Sequence, residues 1–290
     1  MTRYNLDTCA LLAEFNVSQW TARKLDKSTT DEVISNKNAR DKGAARVNKH
    51  LLAGRNELDI IAKHVGAVRT YFYKNTIPWS DSGIRLVPSA KFMELDAQMT
   101  QYETEFDKLV DDFIAVYPTL ITAQAMALGS MFNRDEYPSA DELRHKFSFR
   151  ISYMPVPAAG DFRVDVGNEA QKELQEKLAK LSDERVEHAM ADIKTRLKEH
   201  LDRMVDRLTV DIVDGKEKPR TFHGSLIETA QELCSLCRDL NVTNDPVLED
   251  ARVALARAVD GVEADDLRKD LTRREAVKDK VASIRDAFSF

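Results

Sequence analysis

The chain has 290 residues, 32% of them charged, with only 10 Gly and 8 Pro. Since an average soluble protein is roughly 25% charged, this composition predicts long solvated helices. A net charge of -6 excludes a general attraction to nucleic acid or anionic lipid, so such binding would need a local basic patch. Neither a run of roughly 18 apolar residues nor a secretory leader is visible, and we expect a cytoplasmic protein that makes no membrane contact.

The N-terminal region contains one strand-like and one helix-like pattern. In Ala13–Thr21, AEFNVSQWT, Phe15 and Val17 alternate with polar residues, which predicts a half-buried strand. The polar stretch from Lys24 to Asn38 predicts a loop that ends in helix N-caps. Between Val47 and Phe72 the apolar residues recur at steps of three and four, which predicts one helix.

The most regular pattern in the chain is an apolar heptad. Its members are Phe92, Leu95, Met99, Tyr102, Phe106, Leu109, Phe113 and Val116. This spacing is typical of a long helix packed against another long helix, and the bulky aromatic members favour a partner within the chain, although a dimer fits the spacing equally well. We expect Pro118 to end or kink this helix, and Ser139 with Glu142 to cap a short one.

A strand pattern interrupts the helices at Phe147–Val166, FSFRISYMPVPAAGDFRVDV. Two alternating stretches flank a Pro/Gly loop, which predicts a hairpin. Because an isolated hairpin is only marginally stable, we expect the strand near residues 13–21 to join it in a small antiparallel sheet of about three strands.

The remainder is again helical in pattern. An apolar line with drifting spacing runs from Asn168 to Val213 and predicts one long helix, followed by a charged turn at Asp214–Pro219. Further helices are predicted from a capping box at Ser225 and Glu228 and from Asn244, Asp245 and Pro246. We therefore predict a mainly α protein, an elongated bundle of long coiled-coil-like helices with a small sheet. Its predicted domains are residues 1–213 and a C-terminal helical hairpin or three-helix unit at 214–290.

Three candidate sites stand out. The basic residues Lys37, Arg40, Lys42, Arg46, Lys49 and Arg55 have only Asp41 as a nearby acid, so they form a candidate nucleic-acid contact or a solvated face. Trp79 lies in a loop rich in Pro, Gly and Asp, where it either anchors the loop or serves as a partner hot spot. Cys234 and Cys237 have C-x-x-C spacing, with His223 upstream.

Catalytic and metal chemistry find little support in the residues. The cysteine pair falls on an apolar helix face without a fourth ligand, which favours buried structural thiols over zinc. The six His residues have no ligand spacing to one another, the Gly residues form no phosphate-binding loop and no Ser lies in a nucleophile elbow. We expect no enzymatic activity, no metal and no cofactor.

Three phrases, NTIPWSDSGIRLVP at Asn75–Pro88, ALGSMFNRDEYP at Ala127–Pro138 and FSFRISYMPVPAAGDFRV from Phe147, together resemble an uncharacterised family of bacteriophage proteins. The resemblance spans Tyr4 to Val213. It is similar to helical domains of unknown function encoded near MoxR-type or CobS-like AAA+ ATPases, and it implies a phage origin and an AAA+ ATPase as one candidate partner.

Two functions are compatible with these patterns. The first is a non-enzymatic protein-protein interaction or scaffold module, with another protein or a second copy as its partner. The second is a nucleic-acid-binding accessory of phage replication or recombination that uses the basic residues between Lys37 and Arg55.

Overall fold

A computed structural model describes residues 6–157 and 168–288. The protein is mainly helical, at 64%, with a small antiparallel sheet, which confirms the predicted mainly α class with a small sheet; the elongated, coiled-coil-like bundle stays a prediction. The helices are α1 (Leu6–Cys9), α2 (Lys27–Asn36), α3 (Glu57–Lys74), α4 (Ser89–Leu128), α5 (Ala140–Arg144), α6 (Asn168–Leu208), α7 (Ser225–Leu240), α8 (Pro246–Val259), α9 (Ala264–Lys269) and α10 (Leu271–Ala287). The strands are β1 (Ala10–Ser18), β2 (Arg23–Leu25), β3 (Asn48–His50), β4 (Ile77–Pro78), β5 (Arg85–Pro88), β6 (Ser148–Pro155), β7 (Val210–Val213) and β8 (Lys216–Pro219).

The chain divides into two compact units that are discontinuous in sequence. The first unit is Met1–Glu14, Phe72–Leu95 and Ser152–Phe290, and the second is Phe15–Tyr71 and Asp96–Ile151. Residues 214–290 lie within the first unit, and the predicted domains, residues 1–213 and 214–290, stay a prediction.

The largest sheet has four strands in the order β4-β5-β1-β6. Strand β5 pairs antiparallel with β1, from Ala10 opposite Pro88 to Ala13 opposite Arg85. Strands β1 and β6 are neighbours, which confirms that the N-terminal strand joins the one that follows Phe147. The sequence pattern does not reveal β4 and β5, because strands of two and four residues are too short to show an alternation.

The observed sheet differs from the predicted one in its number of strands. The second strand of the predicted hairpin falls at residues 162–166, which lie outside the described residues. The predicted count of about three strands is too low for the observed four-stranded sheet.

The second unit is built around the buried side of α4. The heptad face is buried there at Phe106 and Phe113, whereas Val116 is 43% exposed. Beyond that point the buried side passes through Tyr117 and Leu120. The helix continues through Pro118 to Leu128, so of the two predicted alternatives at Pro118, an end or a kink, the end is wrong.

The residues that pack against α4 in the core of the second unit come from α3, α5 and the segments beside them. The cluster comprises Ala22, Leu51, Leu52, Ile61, Val65, Phe106, Val110, Phe113, Tyr117, Leu120, Ile121, Tyr137, Leu143 and Phe147. Ser139 and Glu142 form the predicted capping box of α5. Tyr137 Oη donates to the Leu51 carbonyl oxygen at 2.7 Å, which gives this buried hydroxyl a partner.

Two predictions in this unit are wrong. The stretch from Lys24 to Asn38 contains α2, whose N-cap Asp26 accepts from the Thr29 N–H at 3.0 Å. This hydrogen bond lowers the pKa of Asp26. Only Thr30 and Ile34 of α2 are buried, so an apolar stripe is missing. The single helix expected over Val47–Phe72 is interrupted, because β3 and a turn precede α3.

The first unit is organised by α6, which is continuous over its whole length. The predicted apolar line is buried at Val186, Met190, Ile193, Leu197, Leu201, Met204 and Leu208. Helices α7 and α10 pack against it. The helix ends at Leu208 and not at Val213, because β7 and β8 form a hairpin around Asp214 and Gly215, both with positive φ. An Asp-Gly pair is typical of such a turn.

Helix termini in this unit show one confirmed and one wrong prediction. Asp245 is the N-cap of α8 and accepts from the Val247 and Leu248 N–H groups, with Pro246 in the first turn. Helix α7 begins at Ser225, so Gly224 occupies its N-cap position without a side-chain hydrogen bond. The predicted capping box of Ser225 and Glu228 therefore does not form.

Candidate binding surfaces

The predicted basic residues do not all face solvent. Lys37, Arg40, Lys42, Arg46 and Arg55 are exposed. Within residues 6–157, none of these five side chains forms an ion pair or a side-chain hydrogen bond. They lie in the second unit, in α2's C-terminal end and the segments around β3. Five free cations therefore remain available to an anionic ligand.

Lys49 is the exception. It occupies the middle of β3, whose burial pattern alternates, and it is only 6% exposed. Its Nζ contacts Glu136 Oε2 at 2.6 Å and donates to the Met131 carbonyl oxygen at 2.7 Å, with Asp26 Oδ2 at 4.0 Å. Because its charge is neutralised inside the unit, Lys49 is removed from the predicted nucleic-acid contact.

Trp79 follows β4 and is 4% exposed. The Arg185 guanidinium lies 5.7 Å from the centroid of its ring, a distance typical of a cation–π contact. Its buried Nε1 has no hydrogen-bond partner within the described chain. The ring packs inside the first unit and leaves no surface for a partner, so it corresponds to the predicted loop anchor and not to a hot spot.

The cysteine pair lies on the buried side of α7. Burial raises the pKa of Cys234 to about 11 and that of Cys237 to about 12, so both thiols are protonated at neutral pH. Among the described residues, no group of three His, Cys, Asp or Glu side chains is placed to hold a metal ion. The arrangement fits structural thiols.

An uncharged surface on α4 was not among the predicted sites. From Phe113 to Asn133 the chain contains no Asp, Glu, Lys, Arg or His. Val116, Thr119, Ala123 and Met126 follow one another at steps of three and four, so they share one side of α4, and we call them the charge-free face. Val116 is 43% and Met126 89% exposed. By length and composition alone, the helix is also apolar enough to cross a membrane, a property that core helices share.

A second missed feature is a pocket of about 350 Å³ beside the start of α7. We call it the α7 pocket. Three elements line it, namely α6, the connection after β8 and the first turns of α7. Its lining residues are His200, Arg203, Arg207, Thr221, Phe222, His223, Ser225, Leu226 and Thr229.

The α7 pocket is basic. His200, Arg203 and Arg207 are spaced by three and four residues, so they share one side of α6. His223 adds a second imidazole, and Thr221, Ser225 and Thr229 add hydroxyls, while no carboxylate is among the described residues that line the pocket. Acids lie nearby on the same elements: Asp206 Oδ2 is 3.5 Å from Arg207 Nε, and Glu228 lies near Gly224. The start of α7 contributes the positive end of a helix dipole.

His200 is the buried member of this set, at 5% exposure. Its Nε2 is buried and has no hydrogen-bond partner among the described residues, while the backbone of Leu226 bonds to the same ring. Burial and the charge of Arg203 lower the pKa of His200. An unpartnered buried imidazole nitrogen beside two arginines is an unusual arrangement, because buried polar atoms are normally hydrogen-bonded.

Different signals could have revealed the two missed features. The charge-free stretch is visible in the sequence as a gap in an otherwise charged chain. The α7 pocket is not visible in the sequence, because His200 and His223 lie on different elements, separated by the β7–β8 hairpin. The predicted zinc candidate His223 lines this pocket, whereas Cys234 lies further along α7 and does not line it.

A comparison with known protein families finds one match. The family described as "Protein of unknown function (DUF3150)" matches residues 6–215. No curated protein and no solved structure matches the chain. The matched range agrees with the span Tyr4–Val213 of the resemblance, which confirms a family of unknown function; phage origin and an AAA+ ATPase association stay predictions.

Proposed function

The chain belongs to the DUF3150 family of proteins of unknown function, and we propose that it is a non-enzymatic protein-interaction module. The observation that carries this proposal is the charge-free face of α4. In a chain that is 32% charged, an exposed helix side without charge is what a helix-helix contact requires, because charged residues are depleted from the cores of interfaces.

We propose a second copy of the chain as the occupant of this face. Asp112 precedes Val116 by one turn on the same side of α4, and Arg134 follows the charge-free stretch at its other end. Both residues are exposed. In an antiparallel pair related by a two-fold axis, Asp112 of each copy would approach Arg134 of the other, and the uncharged residues would face one another.

Mass measurement by size-exclusion chromatography with light scattering tests the proposal. We expect the wild-type chain, of 32.9 kDa, to elute at twice this mass and Met126→Asp to elute as a monomer. Met93→Asp is the matched control, because Met93 is also an exposed methionine of α4, at 74%, but lies outside the charge-free face. The control should remain dimeric.

Two results would contradict this arrangement. A wild-type monomer at all concentrations would exclude the second copy and leave the AAA+ ATPase that the resemblance implies as the partner to test. Flotation of the monomer with lipid vesicles, abolished by Met126→Asp, would identify a membrane as the occupant and overturn the protein-interaction proposal.

A second candidate function is nucleic-acid binding, favoured by the five unpaired cations between Lys37 and Arg55. Contacts of these side chains to phosphates predict an affinity that falls steeply with salt, because counterions are released. Fluorescence anisotropy with labelled DNA and RNA measures this affinity. We expect Arg40→Glu with Arg46→Glu to weaken binding and Lys108→Glu, an exposed control on α4, to leave it unchanged. Equal affinity of all variants would refute this role.

A further inference from the structure

The α7 pocket combines features that point to an anionic ligand. It lies in the first unit, whereas the charge-free face and the basic segment lie in the second, so it is not explained by the proposed function. The described lining residues contribute two guanidinium groups, two imidazoles and three hydroxyls, and none of them is a carboxylate. Every one of these groups can donate a hydrogen bond to an oxygen anion.

We propose that the α7 pocket binds the phosphoryl group of a small phosphorylated molecule. Arg203 and Arg207 carry fixed charges and planar arrays of donors that match phosphate oxygens. The start of α7 adds a positive dipole end, where phosphate groups are commonly bound. The two arginines carry two positive charges, which match the two negative charges of a phosphate monoester. A carboxylate carries one negative charge and would compensate only half of the arginines' charge.

His200 supplies the independent observation that a ligand belongs here. His200 is only 5% exposed, yet its Nε2 has no hydrogen-bond partner among the residues that the structure describes. A buried polar atom without a hydrogen bond costs about 1–3 kcal/mol, and a ligand that draws the His200 ring toward the pocket would remove this cost. A bound anion would also favour the imidazolium, in which Nε2–H donates, over the neutral ring that burial and Arg203 favour.

The pocket volume defines the class of ligand more closely. A volume of about 350 Å³ lies at the lower end of the range of small-molecule sites, roughly 300–1,000 Å³, and exceeds the size of a bare phosphate ion. The Arg268 and Arg274 guanidinium groups lie 5.2 and 5.1 Å from the centroid of the Phe222 ring, so this ring is engaged within the unit. We therefore assign the phosphoryl group to the arginines and a small organic moiety to the remaining volume.

Family membership covers only part of this pocket. The matched range ends at residue 215, so His200, Arg203 and Arg207 lie inside it and the residues contributed by the connection and α7 lie outside. The basic side of α6 belongs to the family region of the chain.

Isothermal titration calorimetry of the full chain tests the proposal, with inorganic phosphate and adenosine 5′-monophosphate as probes. We expect both to bind, and the nucleotide to bind more tightly because it fills more of the pocket. A charge-assisted hydrogen bond contributes about 1.5–3 kcal/mol, so the double variant Arg203→Gln with Arg207→Gln should bind each probe at least about a hundredfold more weakly, at roughly tenfold per arginine.

Lys198→Gln is the matched control. Lys198 is an exposed cation of the same helix, two residues from His200, and does not line the pocket. It should bind as the wild type does, while circular dichroism confirms that all variants are folded. Equal affinities for the two probes would support a site for the phosphoryl group alone. Absence of binding by both probes, or equal weakening in the control and the double variant, would overturn the proposal.

Discussion

Arg274 offers the sharpest test of how the first unit is held together. It lies on α10, is only 2% exposed and has no carboxylate partner among the described residues. Its guanidinium donates to three backbone carbonyl oxygens, those of Leu208 at 2.9 Å, Arg207 at 2.7 Å and Arg220. Burial lowers its pKa. Two of the three acceptors end α6, where carbonyl groups lack partners within the helix.

The perturbation is Arg274→Leu. A hydrogen bond from a charged donor contributes about 1.5–3 kcal/mol, so three contribute roughly 5–9 kcal/mol. Removing the guanidinium also removes the cost of keeping a charge away from water, which offsets several kcal/mol of the lost hydrogen-bond energy. We expect the free energy of unfolding to fall by about 3–4 kcal/mol, which is also the usual effect of leaving buried polar groups without their charged partner.

Urea denaturation followed by circular dichroism measures this change. Arg273→Leu is the control, because Arg273 is the adjacent residue, is exposed and pairs with Asp266 at 2.6 Å on the surface. Surface ion pairs contribute about 0–1 kcal/mol. Arg274→Lys should recover only part of the loss, because an ammonium group lacks the planar fork. Equal stability of Arg274→Leu and the Arg273 control would refute this reasoning.

Three further predictions concern buried ionisable groups. Lys49→Met should lower the free energy of unfolding by about 3 kcal/mol, measured by urea denaturation; an unchanged value would contradict its inward placement. Burial lowers the pKa of His200 below its ordinary 6.5, so the folded state binds fewer protons than the unfolded state and the free energy of unfolding should fall as pH drops through 6.5. In His200→Gln this fall should be shallower. Equal slopes in the wild type and the variant would count against the lowered pKa. Ellman's reagent should modify exposed Cys9 in the folded protein, and Cys234 and Cys237 only after unfolding; rapid reaction of all three would exclude this.

Local features of the fold follow from the sequence. The apolar faces of α4 and α6, the capping box at Ser139 and the N-cap at Asp245 depend on residues within one or two helical turns of each other, so spacing reveals them. Pro118 shows the limit of such rules, because tertiary packing keeps α4 helical beyond it. Helix α2 is not predicted from residue spacing, because it buries too little apolar surface to produce an apolar stripe.

The sequence by itself determined the mainly α class, the long helices and the strand that follows Phe147, because periodicity and capping act over short distances. Only the tertiary structure decided which charges face inward and which groups meet. Lys49 leaves the predicted basic patch because Glu136 and the Met131 carbonyl reach it from distant positions in the chain. His200 and His223 enter one pocket because α7 packs on α6. Burial of a charged side chain depends on partners that the folded backbone brings to it, and residue spacing does not contain that information.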